Sequence, residues 1–220
     1  MKKILRIDSS PRSSRSQTRR LTQQFITQWC TKYPDTELIH RDLGHQPPTP
    51  VSEAWIAAAF APPGQRTESM TNQLTESDAL LNELIAADIL VIGIPMYNFS
   101  VPASFKAWID QVVRIGRSFL FEPEDKQQPY KPLLAEKLTF IIIATGDAGY
   151  EPGGPYFFLN QIEPYLRTVF PFIGISNLHF VYTGNDEFGG ERLQQSLDAA
   201  QQKVQYLITN TIGNTIKKEV

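Results

Sequence analysis

Two segments of the chain, "ILVIGI" (Ile89 to Ile94) and "LTFIIIA" (Leu138 to Ala144), are apolar at nearly every position. A strand reads this way when helices cover both of its faces, as in a parallel sheet. Three shorter runs bring the expected strands to five: "KILRI" (Lys3 to Ile7), "TELIHR" (Thr36 to Arg41) and "LHFVY" (Leu178 to Tyr182). Between and after them, helical patterns run over about Gln17 to Tyr33, Glu68 to Ala86, Ala103 to Gly116, Tyr156 to Phe170 and Arg192 to Thr211. Strands alternating with helices long enough for right-handed crossovers predict an α/β fold on an open parallel sheet. Two stretches stand outside this rhythm. "GHQPPTPVSEAWIAAAFAPPGQRTES" is rich in proline and reads as a loop around a short helix, and "FEPEDKQQPYKPLLAEK" reads as a second long insertion. Loops of this length in a compact domain are usually functional or flexible. No repeat, low-complexity tract or linker marks a boundary, so residues 1–220 are expected to form one domain.

The chemistry gathers in loops that follow strands. The segment "SSPRSSRSQTRRLTQQF", which begins at Ser9, joins the first strand to the first helix and carries five serines and a threonine within ten residues. A helix N-terminus presents unpaired N–H groups and a positive dipole end, and hydroxyls add further donors, which makes an anion site. Ordinary N-capping explains one or two such hydroxyls, not six. Neither GxGxxG nor GxxxxGK[ST] is present. A hydroxyl-rich loop suits a terminal phosphomonoester, whose three oxygens can be wrapped. Arg12 and Arg15 can add charge, although by composition Arg12, Arg15, Arg19 and Arg20 each read as solvated side chains.

The third strand runs into "PMYNFSVP", where Pro95 and Pro102 stiffen the backbone. In doubly wound sheets ligands sit beyond the carboxyl ends of the strands. Met96, Tyr97, Asn98 and Phe99 there offer flat apolar surface, backbone donors and an amide, which an amphipathic planar heterocycle requires. Aromatic turns also serve core or interface packing.

The longer stretch "MYNFSVPASFKAWIDQVVRIGRSF" resembles the FMN-dependent NADH:quinone oxidoreductase and azoreductase family. Met96, Tyr97, Asn98, Phe99, Pro102, Lys106, Trp108, Ile109, Asp110, Gly116 and Phe119 match its pattern, while Phe105 and Ser118 depart mildly. "SS…SQT" resembles the family's phosphate loop and "YLRTVFPFIGI" its late helix, so the likeness covers nearly the whole chain. The resemblance implies a flavodoxin-like doubly wound fold: a five-stranded parallel sheet in the order 2-1-3-4-5, with helices on both faces. It further implies bound FMN, a homodimer with active sites at the subunit boundary, and reduction of quinones or azo compounds by NADH or NADPH. By matching positions, Ser10, Ser16, Gln17 and Thr18 would contact the FMN phosphate and Met96 to Phe99 the isoalloxazine. Typical members carry Ser-Arg-Gly-Gly after the fourth strand. Here Thr145, Gly146, Asp147 and Ala148 stand in, with Gly149 beside them, and the lost arginine and added Asp147 bear on substrate preference. The flavin would carry the chemistry, so no side chain is assigned as catalytic. The alternative, from another class, is a flavodoxin-type electron carrier without a small-molecule acceptor.

Composition narrows this picture only a little. A net charge of -2 over 220 residues offers no basic footprint for nucleic acid. The single cysteine, Cys30, lies on the apolar stripe of the first helix and reads as a packed thiol, consistent with a reducing cytoplasm. No apolar run reaches the roughly 18 residues of a membrane span. His40, His45 and His179 lack ligand spacing, so no metal is expected, and Lys106 with Asp110 reads as a surface ion pair. Phe121 and Tyr130 are expected either to form a hydrophobic lid or simply to pack their loop.

Overall fold

The structure, a computed structural model, describes residues 1–216, with side chains as far as Asn210. The last four residues of the expected 1–220 domain lie outside the described residues. Five parallel strands form the sheet: β1 (Lys2–Asp8), β2 (Thr36–Asp42), β3 (Ile89–Pro95), β6 (Leu138–Ala144) and β7 (Leu178–Thr183). They lie in the order β2-β1-β3-β6-β7, the doubly wound arrangement expected, with the winding direction reversing between β1 and β3. A separate antiparallel hairpin, β4 (Phe119–Phe121) with β5 (Tyr130–Pro132), accounts for the remaining two strands.

Side-chain alternation divides the interior into two cores. On one side, Leu5 and Ile7 of β1, Leu90, Ile92 and Ile94 of β3, and Ile141 and Ile143 of β6 pack beneath α4 (Thr75–Ala86), α5 (Ala103–Val112) and α6 (Ile162–Ile173). On the other, Ile4, Ile89, Val91, Phe140 and Ile142 pack beneath α1 (Gln17–Lys32) and α7 (Gly190–Ile216). A fully buried leucine or isoleucine contributes about 1.5–3 kcal/mol. The continuous apolar runs of β3 and β6 thus reflect burial on two faces at once.

Local differences from the sequence pattern have identifiable causes. The expected helix over 68–86 breaks at Leu74 into α3 (Glu68–Gln73) and α4, because the two halves serve different cores. α3, through half-buried Met70, joins α2 (Glu53–Phe60) in a small cluster of Trp55, Ala58, Ala59 and the linking Leu74, whereas Leu80, Leu81 and Leu84 of α4 face the sheet. α5 stops at Val112 rather than Gly116. The Ser118 hydroxyl accepts the Arg114 N–H at 2.8 Å and Gly116 takes φ +75°, turning the chain toward the hairpin. α6 starts at Ile162 rather than near Tyr156: a 3-10 turn over Phe157–Leu159 precedes it, and Asn160 Oδ1 accepts the Ile162 N–H at 2.8 Å. Phe121 and Tyr130 meet across the hairpin with ring centroids 5.2 Å apart and planes tilted by 31°, and Tyr130 also meets Phe172. Within one chain they therefore pack their own loop.

Candidate functional site

The carboxyl ends of β1, β3, β6 and β7 deliver four loops to one edge of the sheet. After β1, Ser16 caps α1: its Oγ accepts the Arg19 N–H at 3.3 Å and lies 3.1 Å from Thr18 Oγ1. Ser10, Ser16 and Thr18 are buried, so these hydroxyls are held in fixed positions. The first-turn N–H groups of Gln17 and Thr18 donate to no protein acceptor among the described residues, as expected at a helix start. Ser9 Oγ donates to the Gly93 carbonyl at 2.8 Å, tying the loop to β3. Gly44 lies so close beneath that a Cβ there would sit 2.0 Å from the Ser10 carbonyl oxygen.

A charged network supports this loop, and here one expectation is corrected. Arg19 is not solvated: its side chain is only 13% exposed. It donates to the Ser10 carbonyl through Nε at 3.0 Å and Nη2 at 2.7 Å, and forks onto Asp42 at 2.7 and 2.5 Å. The sequence places these groups 9 and 23 residues apart, so only the fold brings them together. Hydrogen bonding to Asp42 raises the Arg19 pKa, outweighing burial. Burial alone would raise the Asp42 carboxyl. The Arg19 hydrogen bond, the His45 N–H and the charges of both residues prevail and hold it well below the usual range. Beside them the buried Asp8 carboxylate meets Arg6 Nη2 at 2.8 Å, His40 Nε2 at 2.9 Å and the Thr22 hydroxyl at 2.8 Å. Two of the three histidines, His40 and His45, thus belong to this support.

After β3, Tyr97 and Ser100 exchange backbone hydrogen bonds of 3.0 and 3.1 Å, closing a two-residue turn. Asn98 (φ +48°) and Phe99 (φ +69°) both occupy the left-handed region. Asparagine tolerates this; for phenylalanine it stores on the order of 1–3 kcal/mol of strain. Strain of that size persists where the surroundings hold it, and the Phe99 carbonyl is held by the Gln161 N–H at 2.9 Å. Tyr150 lies 6.4 Å from the Phe99 ring and 5.7 Å from Tyr156, extending the aromatic surface. The N–H groups of Asn98, Phe99, Gly146 and Asp147 donate to no protein acceptor among the described residues.

After β6, the Thr145 hydroxyl donates to the Asp147 carbonyl at 2.5 Å, and Asp147 Oδ1 accepts the Ala148 N–H at 2.7 Å. Gly149, at φ +94°, accepts the Tyr156 N–H at 2.8 Å through its carbonyl. The loop after β7, "GNDEFGG", was not singled out in the sequence, although its turn-forming residues directly after the last strand are a usable signal. Its Asp186 accepts from Arg12 Nη1 at 2.7 Å and from Gln17 Nε2 at 3.0 Å.

These loops enclose a cavity of about 130 Å³. Of the expected residues, Ser10, Ser16, Gln17, Thr18, Met96, Tyr97, Thr145 and Gly146 line it, joined by Arg12, Arg15, Asp186 and Glu187. Tyr97 and Asn98 also border an open cleft of about 760 Å³ with Lys106, Gln161 and Tyr165. Phe99, Asp147, Ala148 and Gly149 line neither space. Lys106 Nζ pairs with Asp110 at 2.6 Å on the exposed face of α5, as its spacing suggested. Burial, then the Asp110 charge, push the Tyr165 hydroxyl up to about 12, so it remains a proton donor at neutral pH. A larger cavity of about 790 Å³ opens at the opposite end of the sheet, among the last residues of α1 and α4. Its lining balances Lys2, Lys32 and Lys137 against Asp35, Asp88 and Glu136 and includes none of the loop residues described above.

The site's donor set fits FMN: buried hydroxyls, a free helix N-terminus and an amide for the phosphate, and a strained aromatic turn with unpaired N–H groups for the ring. Comparison with known proteins agrees in fold and sequence. A family described as having a flavodoxin-like fold matches residues 2–207. A relative from Trichormus variabilis, named FMN-dependent NADH:quinone oxidoreductase 1, is 45% identical over 213 residues, covering 97% of this chain and 99% of its own. A Pseudomonas aeruginosa protein named FMN-dependent NAD(P)H:quinone oxidoreductase 1 is 42% identical over 205 residues, covering 93% of this chain and 97% of its own. A solved Bacillus anthracis azoreductase superposes with a TM-score of 0.82 at 21% identity, covering 94% of this chain and 99% of the other, a likeness of fold. With the matched family spanning nearly the whole chain, this protein belongs to the flavodoxin-like family that includes the FMN-dependent NADH:quinone oxidoreductases.

Proposed function

We propose that the protein is an FMN-dependent oxidoreductase that uses NADH or NADPH to reduce quinones by two electrons and to cleave aromatic azo compounds. The observation that carries this reading is the joining of two features at one sheet edge. The hydroxyl-lined cavity at the start of α1 meets the strained Met96–Phe99 turn through Tyr97. Bound FMN supplies the chemistry, accepting a hydride equivalent and returning two electrons. The chain's own residues bind and orient. Ser10, Ser16, Gln17 and Thr18 would hold the phosphate, Met96, Tyr97, Asn98 and Phe99 the ring, with Thr145 to Gly149 as further ring contacts. Free N–H groups on Asn98, Phe99, Gly146 and Asp147 are suited to developing negative charge on a heterocycle, as in an oxyanion hole.

The cavity is small and the turn lies open. We therefore infer a homodimer in which a second copy covers the ring face. Phe60, Phe99, Phe121, Tyr130, Tyr156 and Phe158 are exposed and offer apolar surface for such a contact. The reducing cytoplasm, where reduced nicotinamides are made, is the compartment proposed, and residues 1–220 the single domain.

One flat molecule at a time fits over an enclosed ring face, so nicotinamide must leave before the acceptor enters. Double-reciprocal plots with NADH and a quinone are expected to give parallel lines. Anaerobic NADH is expected to bleach the flavin absorbance at least as fast as turnover. Bleaching slower than turnover, or none, would overturn the proposal.

A further inference from the structure

Asp186 is a carboxylate placed where the site gathers its anion donors. Arg12 belongs to the loop after β1 and Asp186 to the loop after β7, and the order β1-β3-β6-β7 puts those strands three steps apart. At about 4.8 Å per step, the loops leave the sheet roughly 14 Å from each other. Yet Arg12 Nη1 and Asp186 Oδ2 meet at 2.7 Å, and Asp186 Oδ1 takes Gln17 Nε2 at 3.0 Å. The contact therefore bridges the carboxyl ends of β3 and β6 and forms a wall of the cavity.

Both sides of this clasp are anchored. Gln17 opens α1, while the Glu187 N–H donates to the Gly146 carbonyl at 3.0 Å. Gly146 permits that approach, since a Cβ there would sit 2.6 Å from Glu187 Oε1. Asp186 also neutralises Arg12, so the charged side chains lining the cavity, Arg12, Arg15, Asp186 and Glu187, balance in sign beside the hydroxyls of Ser10, Ser16 and Thr18.

We propose that Asp186 is a specificity-determining residue: by clasping Arg12 and Gln17 it closes the phosphate cavity so that the site accepts a terminal phosphomonoester and rejects a pyrophosphate. This rests on the reading of the cavity as the FMN phosphate site. A single phosphate meets hydroxyls and a helix N-terminus. A second phosphate, as in FAD, must break the Arg12–Asp186 contact to gain room; while that contact holds, the Arg12 charge is already taken and the Asp186 carboxylate repels the incoming anion.

The test uses flavin fluorescence in titrations of the apoprotein with riboflavin, FMN and FAD. The wild type is compared with Asp186→Asn, which keeps the shape and loses the charge, and Asp186→Ala, which also opens the clasp. In the wild type FMN is expected to bind more tightly than both riboflavin and FAD. The preference for FMN over FAD should shrink about tenfold or more in Asp186→Ala and by a smaller factor in Asp186→Asn, with FMN affinity kept or improved. An unchanged ratio in both variants, with FMN still preferred to riboflavin, overturns the role of Asp186 alone. A fall in FMN affinity parallel to that of FAD also overturns it, making Asp186 a positioning group for Arg12 and Gln17. Equal wild-type affinity for FMN and riboflavin overturns the phosphate site and this proposal with it.

Discussion

Thr18 and Ser16 allow binding and folding contributions to be separated within one turn of helix. Each offers a buried hydroxyl to the cavity, but only Ser16 also caps α1, accepting the Arg19 N–H at 3.3 Å. A hydrogen bond to a charged group contributes about 1.5–3 kcal/mol. Thr18→Ala is therefore expected to weaken FMN binding by roughly 10- to 150-fold. Its effect on riboflavin, which lacks the phosphate, should be small. Ser16→Ala should weaken FMN binding similarly and also lower folding stability by about 1 kcal/mol through loss of the cap. Since the two hydroxyls lie 3.1 Å apart, the double variant should depart from the sum of the single effects. Flavin fluorescence titration measures the first quantity, and urea unfolding of the apoprotein the second. The reasoning is refuted if Thr18→Ala leaves FMN affinity unchanged, or lowers FMN and riboflavin affinity by the same factor.

Two further predictions concern the support and the assembly. Asp42→Asn is expected to lower stability at pH 7 by about 1–3 kcal/mol, since Arg19 loses its ionised partner. The folded Asp42 carboxyl titrates below its unfolded value, so its stabilisation is present above about pH 4 and fades as pH falls through the folded pKa. The gap between variant and wild type, measured by urea unfolding, should therefore narrow below about pH 4, and a constant gap would contradict this assignment. For the assembly, light scattering at micromolar concentration should give the mass of two chains, and a fully active monomer would rule out a partner-covered ring.

Much of this architecture follows from the sequence alone. β3 and β6 match their expected spans to within a residue because burial on both faces leaves only Thr139 as a polar position within them. The serine-rich loop and the Met96–Phe99 turn are legible because their chemistry is local: hydroxyls near a helix start, and prolines on either side of an aromatic turn. The hairpin of β4 and β5 is hidden because each strand has only three residues and alternates little, so its pairing depends on Phe172 of a later helix. Leu74 breaks a continuous helical pattern only because two cores claim the residues on either side of it. Arg19 reads as solvated until the sheet brings Asp42 and the Ser10 carbonyl to its guanidinium. Asp186 is the clearest case. Its partner Arg12 lies 174 residues away, and although the turn residues of "GNDEFGG" mark a loop after the last strand, nothing local pairs that loop with Arg12. The periodicity of the chain determines which residues are buried in strands and helices, because burial is a property each segment carries by itself. The charged network and the closure of the cavity arise only when the strand order sets the carboxyl ends of β1 and β7 three strands apart on one edge, since an ion pair exists only once both partners have been placed.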